Sequence, residues 1–167
     1  MPANTPPTDD PLLEQIAQDL VETIQGIAAR QANEGGFYLS PYTAERPHPK
    51  QLAGDFVDGR TQIVQGMTEA VEEHSNTCSI GLQTYFVVRL DAAVPQKGDE
   101  SLDRRLNLRA ADVLRAVLAD PTRGGRAINT DLAVIDGADE VADRTKGRID
   151  LVLIVQHQQS RTDPTRF

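Results

Sequence analysis

The 167-residue chain is poor in the residues that crosslink, stack or span membranes. It has one cysteine, Cys78, which excludes an intrachain disulfide and a cysteine-based zinc site. It has no tryptophan, three tyrosines and four phenylalanines, which disfavours a stacking platform for bases or sugars. The longest apolar run, Leu151–Val155, is far shorter than the roughly 20 residues that span a bilayer. We therefore expect no membrane span and a reducing compartment, normally the cytoplasm.

Lysine is also scarce, since only three of the 17 basic residues are lysines. Against 25 acidic residues this gives a net charge of −8. Because phosphate neutralisation dominates affinity for nucleic acids, an acidic chain is a poor candidate for wrapping DNA or RNA. The arginine excess suits bidentate contacts between proteins, although GC-rich codon usage would produce the same skew.

No catalytic motif is present. The chain lacks a glycine-rich phosphate loop, a Gly-x-Ser-x-Gly elbow and a His-Glu-x-x-His sequence. The three histidines, His48, His74 and His157, are scattered, and we interpret them as surface or rim residues. We interpret Cys78 as a packing residue at the start of a strand. We therefore expect a protein that is not an enzyme and needs no cofactor.

One acidic cluster keeps a metal-dependent alternative open. Its members are Asp136, Asp139, Glu140 and Asp143. Carboxylate oxygens at short spacing suit Ca²⁺ or Mg²⁺, but the spacing differs from that of an EF-hand and lacks its closing glutamate. We expect a solvated acidic turn over 136–146 and no metal site, and a small metal-dependent enzyme is the alternative from another class.

Apolar periodicity predicts two principal helices. The first begins at Leu12, after Asp10 as a cap and Pro11 in the first turn, and stops before Gly35-Gly36. The second covers 102–118 and is capped by Ser101. Several polar residues of the second helix are predicted to lie outside its buried stripe, among them Arg104, Arg105, Arg109, Asp112 and Arg115.

Alternating apolar residues predict the strands. A long strand covers Cys78–Asp91, and the last strand covers Arg148–Gln158. In the last strand Val152 and Ile154 lie on the face opposite Leu151 and Leu153, so this strand is covered on both sides or lies at an interface. Shorter strands are predicted at 37–43, 61–67 and 127–135, with an irregular loop over 48–60.

These elements predict one α+β domain. Its sheet is mainly antiparallel, with the two principal helices packed on one face. Residues 1–10 form a flexible arm, 11–160 the domain and 161–167 a polar tail.

The order of elements and several short sequence segments resemble those of a known family. The segments are Gly36-Phe-Tyr-Leu-Ser40 after the first helix, Val87-Val-Arg-Leu90, Leu118-Ala-Asp-Pro-Thr-Arg-Gly-Gly125, Asp150-Leu-Val-Leu-Ile-Val155 and Arg161-Thr-Asp-Pro164. Over residues 11–164 the chain resembles the tail terminator (tail completion) proteins of long-tailed bacteriophages, a group allied to small neck and minor tail proteins. The 136–146 insertion and the 44–60 loop have no counterpart that we can place in that family.

The resemblance implies an α+β subunit that assembles into a homo-hexameric ring. Such a ring caps the head-proximal end of the tail tube, binds the tail tube protein, and docks to the head completion or neck proteins. DNA passes through its lumen without specific binding, and no reaction is catalysed. The implied location is the tail or neck of the virion, after assembly in the host cytoplasm. A head–tail connector or stopper protein is the nearest alternative, and a bacterial binding module is another.

Six residues are predicted to take part in subunit contacts. The arginine-rich outer side of the second helix suggests contacts with carboxylates of a neighbouring subunit through Arg104, Arg105, Arg109 and Arg115. The second apolar face of the last strand suggests that Val152 and Ile154 are buried between subunits.

Overall fold

A computed structural model describes residues 10–29, 37–39, 42–47, 56–140, 145–163 and 165. The described part contains two α-helices, α1 (Leu12–Ala29) and α2 (Leu102–Leu118). Its strands are β1 (Thr43–Glu45), β2 (Arg60–Ala70), β3 (Ser79–Ala93), β4 (Asn129–Glu140) and β5 (Lys146–Ser160).

The five strands form one sheet in the order β1-β2-β3-β5-β4. β1 is parallel to β2, and every other neighbouring pair is antiparallel. Both helices pack on one face of this sheet, and their apolar stripes form the core with the strand residues beneath them. The predicted α+β class, with a mainly antiparallel sheet and two helices on one face, is confirmed.

The centre of the sheet is the pairing of β3 with β5, which runs without a register shift from Ser79–Ser160 to Ala93–Lys146. Because side chains alternate along both strands, they divide between the two faces of the sheet. Phe86 and Val88 of β3 and Leu151 and Leu153 of β5 are fully buried beneath the helices. Residues between them point to the other face, because successive side chains of a strand alternate.

Both predicted helices are confirmed. Ser101 caps α2 by accepting a hydrogen bond from the amide of Arg104 at 3.3 Å. Beyond the end of α2, Gly124 and Gly125 have positive φ angles of 66° and 84°, as the predicted terminating turn requires. The buried Arg123 lies in the same turn, donates hydrogen bonds to the carbonyl oxygens of Val117 and Asp120, and forms an ion pair with Asp19 of α1.

The predicted strand over 37–43 is wrong for the residues described there. Residues 37–39 are not in a strand, and β1 begins at Thr43. The amides of Tyr38 and Leu39 donate to the carboxylate of Asp112, each at 2.8 Å, and so are not available to a neighbouring strand.

The other four strands all continue past their predicted ends. β2 continues to Ala70, three residues past its predicted end, and β5 extends to Lys146 and Ser160. The predicted acidic turn over 136–146 is wrong in its first part, since β4 pairs with β5 as far as Glu140. Polar residues occur in this strand because only one of its faces lies on the core. Residues 141–144 lie outside the described part.

The predicted environments of two residues, His157 and Cys78, are also wrong. His157 is fully buried rather than at a rim, because β3 pairs with β5 to its end and the Nε2 of His157 lies 3.2 Å from Oγ1 of Thr84. Cys78 is exposed rather than packed, since it lies in the turn before β3 begins. His74 lies in a short 3-10 turn, Glu72–His74, and His48 lies outside the described residues.

No helix in the described part of the chain is long and apolar enough to cross a membrane.

Two glycines are expected to respond in opposite ways to alanine. A Cβ on Gly81 would lie 2.7 Å from the carbonyl oxygen of Val71 and 2.7 Å from the carbonyl carbon of His74, so backbone would have to move. We expect Gly81→Ala to lower the free energy of unfolding by about 1–3 kcal/mol. Gly26→Ala, within α1 and with open space around its Cβ, is expected to raise it by about 0.5–1 kcal/mol. Urea unfolding of both variants checks the pair, and equal effects would contradict the packing described at Gly81.

Acid is expected to destabilise the fold through His157. Burial lowers the pKa of this histidine below its ordinary value of 6.5, so the folded state keeps it neutral. The unfolded chain takes up a proton below pH 6.5, and the stability contributed by His157 is lost as the pH falls through that value. Between pH 7.5 and 5.5 the parent chain should lose more stability than His157→Gln, measured by urea unfolding at each pH. Identical losses would contradict a neutral buried His157.

Candidate assembly surface

The sheet presents one face that the helices do not cover, which we call the open face. Its central residues are Val64, Tyr85, Val87, Arg89, Asp150, Val152 and Ile154, all of them partly exposed. Register places Val87 opposite both Val64 and Val152, and Tyr85 opposite Ile154. The face therefore carries an apolar strip that crosses β2, β3 and β5.

Polar pairs border this strip. Arg89 and Asp150 lie opposite each other and form an ion pair, with 3.1 Å between Nε and Oδ2. The hydroxyl of Tyr85 donates to Glu69 of β2 at 3.0 Å. Close cross-strand pairs of this kind fix side chains in place and leave an apolar centre with a polar border, as at many protein interfaces.

A hollow of about 220 Å³ lies at one end of the open face. Its lining residues are Arg89, Asp136, Gly137, Arg148 and Asp150. Both arginines are already engaged, since Arg89 pairs with Asp150 and Arg148 pairs with Asp91. The hollow has no catalytic arrangement, and its paired charges offer little to an anion or a cation.

The buried Asp91 joins three strands at this end of the sheet. Its carboxylate lies 2.8 Å from Nη2 of Arg60 in β2 and 2.8 Å from Nε of Arg148 in β5. Arg148 also stacks over the ring of Phe56, with 4.9 Å from the guanidinium carbon to the ring centroid. Removal of one member would leave a buried charge without compensation, so this cluster is structural.

A second cluster connects the turn before β2 to α2. Asp58 accepts hydrogen bonds from Arg105 at 2.6 Å, from Arg109 at 3.0 Å and from the amide of Ala93 at 3.1 Å. Burial alone would raise the pKa of Asp58, but the bonds from Arg105 and Ala93 and the charge of Arg109 outweigh burial and hold it below its ordinary value. Asp58 is therefore ionised at neutral pH.

Asp112 of α2 holds the segment before β1. It is fully buried and accepts hydrogen bonds from the amides of Tyr38 and Leu39 and from the hydroxyl of Tyr42, the last at 2.7 Å. Burial, together with the bond to Asp112, raises the pKa of Tyr42. Arg109 lies over the Tyr42 ring, 4.5 Å from its centroid, so the second cluster and this one meet at Tyr42.

The predicted position of Arg109 and Asp112 outside the buried stripe is therefore wrong. Both are fully buried, because Tyr38, Leu39, Tyr42 and the turn at Asp58 pack on the side of α2 that helical periodicity assigns to solvent. Arg109 lies inside the subunit and cannot reach a neighbour. Arg105 is largely enclosed by its bonds to Asp58 and Glu100.

The other predicted contact residues lie in different places. Arg104 is 66% exposed in its side chain and lies 3.5 Å from Glu100. Arg115 is exposed at the far end of α2, with its guanidinium carbon 6.0 Å from the centroid of the Phe37 ring. Val152 and Ile154 lie together on the open face. The structure thus groups only these last two, and the interface roles of Arg104, Arg115, Val152 and Ile154 stay predictions.

The candidate metal ligands within the described part of the chain belong to β4. Register places Asp136 opposite Asp150, Asp139 opposite Arg148, and Glu140 opposite Gly147. Asp143 lies outside the described residues. Among described residues, no group of three or more histidine, cysteine, aspartate or glutamate side chains is arranged to hold a metal ion.

Sequence reasoning missed Asp58, Asp91 and Tyr42. Asp91 ends the alternating part of β3, where a carboxylate among apolar residues signals a buried partner. Asp58 and Tyr42 carry no comparable signal, since both lie in irregular segments.

Loss of Asp112 is expected to be severe. Asp112→Ala leaves two amides and a hydroxyl without their acceptor, so we expect the free energy of unfolding to fall by about 3–5 kcal/mol. Tyr42→Phe removes one of these bonds and should cost about 1 kcal/mol. Asp103→Ala, an exposed carboxylate on the same helix, is the matched control and should cost less than about 1 kcal/mol. Chemical unfolding of the three variants checks this order, and equal losses for Asp112→Ala and Asp103→Ala would contradict it.

Comparison with known proteins adds a weak similarity. No protein-family model and no curated protein matches the chain. It is similar to a chain of a solved structure described as "Virion of native gene transfer agent (GTA) particle", with 18% identity and a TM-score of 0.42. The match covers 95% of this chain and 99% of that chain. At this TM-score the similarity assigns neither a fold nor a role.

Proposed function

We propose that this chain is a structural subunit of a tailed phage-like virion, and that it acts as a tail terminator. Copies assemble into a homo-hexameric ring that caps the head-proximal end of the tail tube and joins the tube to the head completion or neck proteins. The observation that carries the proposal is the open face, an ordered apolar strip in the middle of the sheet that no helix covers.

The open face favours association over catalysis. Val87, Val152 and Ile154 are adjacent in register and partly exposed, although their neighbours on the other face are fully buried. An apolar strip with a polar border is typical of a surface that another protein covers. The clusters around Asp58, Asp91 and Asp112 hold the adjoining segments in place, so the surface is preformed.

The resemblance of residues 11–164 to tail terminator proteins supplies the specific role. The predicted helices and the long central strand that carry this resemblance are present at or near their predicted positions. Catalysis has no comparable support among the described residues: the displaced pKa values of Asp58 and Tyr42 accompany structural hydrogen bonds, and that of His157 comes from burial.

Charge is consistent with a channel for DNA. Each copy carries a net charge of −8, and an acidic lumen lets DNA slide without adhering. In this proposal the ring is assembled in the host cytoplasm and remains in the tail or neck of the virion. In this proposal Arg104 and Arg115, the two exposed arginines of α2, contact carboxylates of neighbouring proteins.

Substitution of the open face provides the test. Ile154→Lys places a charge in the apolar strip, where a covering protein would have to desolvate it. We expect the variant to fold but to be absent from assembled particles. Val57→Lys is the matched control, since Val57 is 50% exposed and lies outside the strip, and it should be incorporated normally. Quantitative immunoblots of purified particles measure incorporation, and circular dichroism confirms folding.

Electron microscopy of a gold-labelled parent chain locates it in the same particles. The proposal predicts label at the head-proximal end of the tail. Label along the whole tube, or in the capsid shell, would contradict a terminator, and label against the portal would replace it with a stopper protein. Normal incorporation of Ile154→Lys would show that the open face is not an assembly surface.

A further inference from the structure

Within the described part of the chain, the sheet has a stretch of unpaired strand edge on each side. β4 is outermost on one side and pairs only with β5 among the described residues. On the other side β1 pairs only with Arg60–Gln62, so the rest of β2, from Val64 to Ala70, has no outer partner in the described part of the chain. Backbone N–H and C=O groups on an open edge are ready to pair with a strand from another chain.

Both edges expose apolar side chains. Val134 and Ile135 of β4 are 52% and 49% exposed, and Met67 of β2 is 63% exposed. Monomeric proteins commonly protect such edges with lysine or proline, and neither residue occurs in β2 or β4. β2 has one register shift and β4 has two, but both strands continue to pair with their inner partner beyond these irregularities.

The two edges have compatible directions. β2, β3, β5 and β4 are each antiparallel to the next, so β2 and β4 run in opposite directions within one copy. If sheets of two copies lie side by side, β4 of one copy meets β2 of the next as an antiparallel pair. Because the two edges are different surfaces, this contact is head-to-tail and can repeat until a ring closes.

The charges of the two strands favour the pairing of β4 with β2 over the pairing of β4 with a second β4. β4 contains four carboxylates, Asp131, Asp136, Asp139 and Glu140, and no basic residue. Two copies of β4 would therefore bring two acidic strands together. The open part of β2 contains a single carboxylate, Glu69, and its other residues are neutral. Pairing with β2 thus avoids most of the repulsion between like charges.

One register also keeps the two faces of the sheet continuous. Val64 and Glu69 of β2 point to the open face, as does Val134 of β4. An antiparallel register that sets Glu69 opposite Val134 sets Val64 opposite Asp139. In this register no two carboxylates lie opposite each other, whereas Glu69 opposite Asp131 or Asp136 would set like charges together.

We propose that subunits join through these edges, with β4 of one copy adding to β2 of the next so that the sheet continues from subunit to subunit. The partner is a second copy of this chain, and the inference rests on the proposed ring. It identifies a contact for that ring that uses backbone hydrogen bonds and the exposed Met67, Val134 and Ile135.

Cysteine crosslinking tests the contact. In a Cys78→Ser background, Met67→Cys and Val134→Cys are made singly and together, and the concentrated proteins are treated with a short bismaleimide. The double variant should give a ladder of multimers. A mixture of the two single variants should give crosslinked dimers, and each single variant alone should remain a monomer. Gln18→Cys, exposed on α1, replaces Val134→Cys as the control and should give no dimer with Met67→Cys.

Each other result would overturn the edge contact. Dimers of Val134→Cys alone would show that β4 pairs with itself. Dimers between Gln18→Cys and Met67→Cys as abundant as the specific ones would show random collision. Absence of crosslinks would also overturn the edge contact. Native mass spectrometry of the parent chain mixed with tail tube protein then tests the proposed function separately from the edge contact. A ring in that sample leaves the proposed function standing, and its absence removes both.

Discussion

The antiparallel pairing of β3 with β5 over fifteen residues determines which side chains of the sheet meet the helices. Because it has no register shift, one set of side chains along both strands faces the helices and the other set faces away for its full length. Phe86, Val88, Leu151 and Leu153 fill the core, so Val87 and Val152 have to form the opposite face. The helices lie on one face only, and the apolar strip, its polar border and the two open edges all follow from that arrangement.

Sequence periodicity predicts the elements whose pattern is set by burial. α2 is predicted at its observed bounds because Ser101 caps it and its apolar residues recur at helical spacing. β3 and β5 are recognised from strict alternation, which indicates that one face is buried. The same reasoning places Val152 and Ile154 together on the second face, where the structure has them.

Periodicity fails where the partner of a residue is distant in the chain. Arg109 and Asp112 lie on the side of α2 that spacing assigns to water, and they are buried because Tyr38, Leu39, Tyr42 and Asp58 come from irregular segments that no pattern places there. His157 is misplaced for a related reason, since its burial depends on how far β3 pairs with the end of β5. Two arginines of the described part, Arg109 and Arg123, therefore lie inside the chain rather than on its surface.

In the proposed function this chain acts through the covering of its exposed sheet by other chains. Hydrogen–deuterium exchange of the isolated chain and of the chain in assembled particles tests this most directly, because open-edge amides exchange unless another strand accepts their hydrogen bonds. We expect the amides of β4 and of Val64–Ala70 to become protected on assembly, while those of β3, already paired on both sides, change little. Equal exchange of β4 and Val64–Ala70 in the two states would contradict it.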